Sequence, residues 1–150
     1  MSENSSYQSN LPDMPMKAHK FLIYFWLWLL AIIAVIGACQ NISALGQLQQ
    51  YDTSTIKGMP LVYLQTVLLF IVAIYLIKIR FDLAKFKAGA PKALSIGLII
   101  LMCINLINIV FFKMNNIVIE TSVFTAPVAN IATMLYYRRY YNARDQYFVN

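Results

Sequence analysis

Lys78-Ile79-Arg80-Phe81-Asp82-Leu83-Ala84-Lys85-Phe86-Lys87-Ala88-Gly89-Ala90-Pro91-Lys92 decides how this chain is threaded. The segment holds five of the twelve Lys and Arg residues against a single acid, between two long apolar runs. A bilayer centre rejects each Lys or Arg at roughly 2.5–3.5 kcal/mol, so the segment must lie outside the hydrocarbon. Within it, Ile79, Leu83 and Phe86 recur at helical spacing, which gathers them on one side. Two readings follow. In one, a short interfacial helix lays Lys78, Arg80, Lys85, Lys87 and Lys92 against anionic headgroups, at about 1 kcal/mol per cation. In the other, the segment is an ordinary positive loop that orients the protein. Gly89-Ala90-Pro91 ends the helix, and Pro91 suits the first turn of the next one.

The flanking runs have the length of membrane spans. Upstream, residues 61–77 form a short second span; downstream, residues 93–112 form a third and residues 117–137 a fourth. The first runs from Phe21 to Cys39 without a charge and extends to Leu45. Nineteen residues of helix reach about 28 Å, enough for a hydrocarbon core of roughly 30 Å. Ala31, Ala34 and Ala38 share one face of this span and invite close approach by another helix. In the fourth, Ser122, Thr125, Ala126, Ala129 and Thr133 form a stripe expected to face the bundle, and Pro127 is expected to bend the helix. The expected fold is all-α: a polytopic, four-transmembrane-helix bundle over residues 17–141. A disordered tail at 1–16, rich in Ser, Asn and Pro, precedes it, and a short tail at 142–150 follows.

Composition supports this class. Of 150 residues, 60% are hydrophobic and 12% charged, where soluble domains carry about 25% charge. The net charge of +6 sits at the ends of apolar runs, not in a stripe interleaved with aromatics, which argues against nucleic acid. Cys39, Cys103 and the single His19 cannot assemble a zinc site. No His-Glu-x-x-His, Gly-x-Ser-x-Gly or phosphate-cradling loop is present, so no catalytic, metal or cofactor site is expected and the protein is read as non-enzymatic. His19, with no partner near it in sequence, is read as an exposed flanking residue. Ile36-Gly37-Ala38-Cys39 also has the look of a lipoprotein cleavage box, but the apolar stretch before it exceeds the 7–15 residues of a signal h-region.

Counting Lys and Arg by alternate segments gives ten on one side against two, Lys57 and Lys113, on the other. By the positive-inside rule both termini are cytoplasmic. This threading brings polar groups from four spans into the outer half of the bilayer. Gln40 and Asn41 close the first, Gln65 and Thr66 open the second, Asn105 and Asn108 lie in the third, and Glu120 opens the fourth. A candidate polar pocket therefore comprises Gln65, Asn105, Asn108 and Glu120, the last its only acid. The bland counterpart is interhelical glue, worth about 0.6 kcal/mol per hydrogen bond.

The four-span plan, closing on Tyr136-Tyr137-Arg138-Arg139 and Tyr147-Phe148, resembles small four-span bacterial integral membrane proteins of unassigned function. The small multidrug transporters share the span count, but their signature Glu in the first span has no counterpart here. The resemblance implies a multi-pass protein of the bacterial cytoplasmic membrane, and the helix faces and basic loop suggest that it binds a partner protein or lipid within the membrane, with a homo-oligomer also open. The alternative is a small oligomeric transporter or channel-like protein using the cluster around Glu120.

Overall fold

The computed structural model describes residues 16–48, 57–119 and 121–148. Helix α1 begins as Lys17–Phe21, passes through a π-helical turn at Leu22–Trp26 and continues as Leu27–Leu48; α2 is Met59–Ala84, α3 is Ala90–Met114 and α4 is Thr125–Asn142. A 3₁₀ turn at Thr121–Phe124 leads into α4, and another at Asp145–Tyr147 follows it. No strand occurs among the described residues. Three helices, α1 to α3, are long and apolar enough to cross a membrane, which makes this a membrane-associated, all-α protein.

The fourth helix starts later than the apolar pattern suggests, at Thr125 rather than Ile117. Asn116 adopts a left-handed conformation, φ 55°, and residues 117–119 leave the helix altogether. Pro127 consequently falls in the first turn of α4, where its missing N–H costs nothing; it opens this helix and does not bend it. At 18 residues, α4 reaches about 27 Å.

Between α2 and α3 the chain reverses through a Schellman turn. The Phe86 N–H donates to the Leu83 carbonyl and the Lys87 N–H to the Asp82 carbonyl, each at 3.0 Å. The left-handed position, normally glycine, is occupied by Phe86 at φ 52°. At the opposite end of the bundle, the Asn115 amide clasps the start of α2. The Lys57 N–H donates to Oδ1 at 3.0 Å, and Nδ2 donates to the Lys57 carbonyl at 2.8 Å.

Neighbours in sequence are neighbours in space: α1 packs on α2, α2 on α3, and α3 on α4. Ala31, Ala34 and Ala38 are buried, as expected of the small face of α1, and a Cβ at Gly37 of that helix would touch Leu69 of α2. The largest fully buried side chains, among them Leu22, Leu27, Leu76, Ile79, Leu83 and Leu94, gather toward the end where the cations lie. Ile79 and Leu83 thus face the protein core. The outer surface is apolar along the helices, with Ile32, Ile71, Ile74, Ile96 and Val110 all exposed. So continuous an apolar exterior suits lipid and not water.

Rotation of α4 differs from the expected stripe. Pro127, Asn130, Tyr137 and Tyr141 are its buried residues, while Thr125, Ala126 and Ala129 are exposed. Two tyrosine rings bury far more area than a row of alanine and threonine side chains, and they set the face.

Candidate functional site

Helices α1 and α4 share no extended interface. They meet at the cation-rich end, where the Tyr137 hydroxyl lies 3.4 Å from the Ala18 carbonyl and the Tyr141 hydroxyl 2.9 Å from His19 Nδ1. Further along, the seam opens into a cavity of about 330 Å³. Six amides from four helices line it: Gln40 and Asn41 on α1, Gln65 on α2, Asn105 and Asn108 on α3, and Asn130 on α4. Ile33, Ala126 and Ala129 also line the cavity and are exposed, so it opens sideways between the two helices. In volume it sits at the small end of ligand pockets.

The polar floor is well enclosed: Gln65 is 3% and Asn130 9% exposed. Asn105 Nδ2 donates to the Leu101 carbonyl at 3.0 Å within its own helix, a bond that leaves its oxygen uncommitted. Trp26 and Asn41 both line the cavity, and Trp26 Nε1 and Asn41 Nδ2 are buried with no hydrogen-bond partner among the described residues. An unmade hydrogen bond at such a depth costs on the order of 1–3 kcal/mol. The six amides of the lining carry donors and acceptors to offer a polar group that enters. Trp26 closes the π-helical turn of α1, a distortion often found at functional positions. It also lines a second cavity of about 310 Å³, with Phe21, Ala132 and Tyr136, and so stands between the two halves of the seam.

Of the four residues expected in a pocket, Gln65, Asn105 and Asn108 are brought together; Glu120 lies outside the described residues. Asn130 and Trp26 belong with them and were not expected there. Asn130 is deep only if the fourth helix is counted from residue 117. Counted from Thr125, it is in the second turn.

The basic segment divides by environment. Lys78, Lys85 and Lys92 are exposed. Lys87 pairs with Asp82 at 2.7 Å, and the ammonium holds that carboxyl below its ordinary range. Arg80 turns inward: its Nε donates to the Ile23 carbonyl at 3.1 Å, and its guanidinium lies 5.1 Å from the Trp28 ring. The acceptor belongs to the π-helical turn, so Arg80 braces the distorted stretch of α1.

His19 is not the exposed flanking residue its sequence position suggests. It is 3% exposed, stacked on Phe86 with centroids 4.9 Å apart and edged by Tyr141 and Phe148. Its Nε2 has no hydrogen-bond partner among the described residues. Burial pushes the imidazole down to about 4, so it is neutral at pH 7 and acts as a core side chain. Comparison with known families, with curated proteins and with solved structures finds no match to this chain.

Proposed function

We propose that this protein is a non-enzymatic, four-span integral membrane protein with both termini cytoplasmic, whose lateral cleft holds the polar portion of an uncharged lipid or similar amphiphile. The observation that carries this reading is the convergence of six neutral amides from four helices on one cavity that opens sideways. Ester or ether oxygens would meet the amide donors, and an uncharged ligand avoids the cost of bringing a charge into a low-dielectric site. The sideways mouth between α1 and α4 lets an acyl chain remain among bulk lipid while the polar part enters. The described lining has hydrogen-bonding amides but no acid, base or nucleophile, which favours binding over chemistry. Support for the threading comes from the ends of the bundle. Ten cations lie at one end, with Lys57 and Lys113 at the other, and α4 ends beside the start of α1.

Trp26 is a built-in reporter, since the chain has two tryptophans. In a Trp28→Phe background, a brominated monoacylglycerol titrated into detergent-solubilised protein is expected to quench Trp26 saturably. Asn105→Leu/Asn108→Leu should abolish the saturable component. Quenching that rises linearly with lipid, or that ignores the double substitution, defeats the proposal.

A further inference from the structure

A third cavity lies on the far side of α4, between that helix and α3, at the cation-rich end. It measures about 370 Å³. Its walls are two rails. Along α3 run Lys92, Ile96 and Ile99, and along the antiparallel α4 run Asn142, Arg138 and Met134. Residues three or four apart share a helix face, so each rail presents one continuous edge. On both rails the polar groups sit at the bundle end and the apolar ones deeper. From Lys92 to Ile99 the groove passes from charge to hydrocarbon over about 10 Å.

Neither cation has an ion-pair partner among the described residues. The ion pair among the described residues is Lys87 with Asp82, and both Lys92 and Arg138 are exposed. The site also lies at the N-terminus of α3, a helix of 25 residues, whose positive dipole end adds to the attraction for an anion. Asn142 supplies a further amide at the mouth.

The geometry points to a binding site for one anionic phospholipid. Lys92 and Arg138 would hold its phosphate, and an acyl chain would lie over Ile96, Ile99 and Met134. The order of charge then hydrocarbon, along the direction of membrane depth, selects a lipid over a soluble phosphate. This assignment rests on membrane insertion of the bundle, and it is independent of the amide cleft.

Native mass spectrometry of the full-length protein in dodecyl maltoside tests it, with phosphatidylglycerol, phosphatidylcholine and inorganic phosphate as probes. Phosphatidylglycerol is expected to bind at one saturable site and phosphatidylcholine not to compete. Lys92→Gln/Arg138→Gln should weaken binding roughly 30-fold, from about 1 kcal/mol per cation. The control pair Lys20→Gln/Arg139→Gln makes the same charge change at the same end and should leave binding within about twofold. Ile96→Trp fills the groove without touching either cation, from a position already 51% exposed, and should also displace the lipid. It keeps the test decisive if the double charge variant assembles poorly. Equal losses in both charge pairs would reduce the site to diffuse electrostatics and overturn the proposal, as would full competition by inorganic phosphate. Asn105→Leu/Asn108→Leu should retain phosphatidylglycerol, so failure here and failure of the cleft are separate results.

Discussion

At one end of the seam between α1 and α4, an imidazole is enclosed by Phe86, Tyr141 and Phe148; at the other, six amides share a cavity that opens sideways. Both ends place polar atoms where water is scarce. The His19 end leaves Nε2 unpaired among the described residues but surrounds the ring with one hydrogen bond and three ring contacts, and it closes the gap between the helices. The amide end gathers six amides around a cavity and leaves the helices apart. A polar group packed on every side holds a fold together, whereas polar groups around an open cavity define a place for something else to bind.

The largest effect is expected from Tyr141→Ala. It removes a ring that is 2% exposed and the hydroxyl facing His19, so α1 and α4 lose their main junction. A loss of about 3–5 kcal/mol is expected, as for other buried aromatic truncations, read from thermal unfolding in detergent. A loss below about 1 kcal/mol would mean that the seam is held shut elsewhere.

Acid should act on the same end. His19 lies in the first turn of α1, before the charge-free run that begins at Phe21, and its folded-state value of about 4 lies below the ordinary 6.5. Above pH 6.5 the imidazole is neutral whether the chain is folded or not, and stability is complete. As pH falls below 6.5, the unfolded chain takes up a proton that the folded one refuses. Stability is therefore lost progressively until about pH 4, by an amount on the order of 3 kcal/mol. His19→Gln should flatten this window in a series of unfolding curves. A window that persists unchanged in the variant would assign it to other groups.

Phe86→Gly sets two effects against each other. Glycine relieves the left-handed backbone, worth about 1–2 kcal/mol for an L-residue, and gives up the ring stacked on His19. The ring is expected to win, with a net loss of about 1 kcal/mol, because stacked aromatic pairs add about 0.5–1.5 kcal/mol beyond their buried area. A more stable glycine variant would show that Phe86 is not what closes the lid on the imidazole.

Much of this arrangement is legible along the chain. The break at Gly89-Ala90-Pro91, the alanine face of α1 and the meeting of Gln65, Asn105 and Asn108 all follow from spacing and depth, which are local quantities. The His19 enclosure is not legible, because Tyr141 stands 122 residues away and Phe86 occupies a position where glycine is the expected residue. Asn130 is not legible for a related reason. The apolar run begins at Ile117 but the helix only at Thr125, so every depth counted from the start of the run is too great. Trp26 stands near the start of the first apolar run, where an aromatic belt would sit, and nothing at that position announces its place on the cavity lining.

The smallest effect on stability is expected from Asn108→Leu, and it is the most discriminating result. Were Asn108 interhelical glue, its removal would leave partner groups unpaired in a nonpolar setting and cost about 1–3 kcal/mol. In a cleft with spare capacity, little is lost. Hydrogen bonds between membrane helices average near 0.6 kcal/mol, and a leucine restores part of that by packing against Ile104 on the same lining. The variant should therefore melt within about 0.6 kcal/mol of the parent while its saturable lipid quenching of Trp26 falls. A destabilisation above about 2 kcal/mol with quenching intact would make the amides structural, and the two ends of the seam would then differ in chemistry but not in purpose.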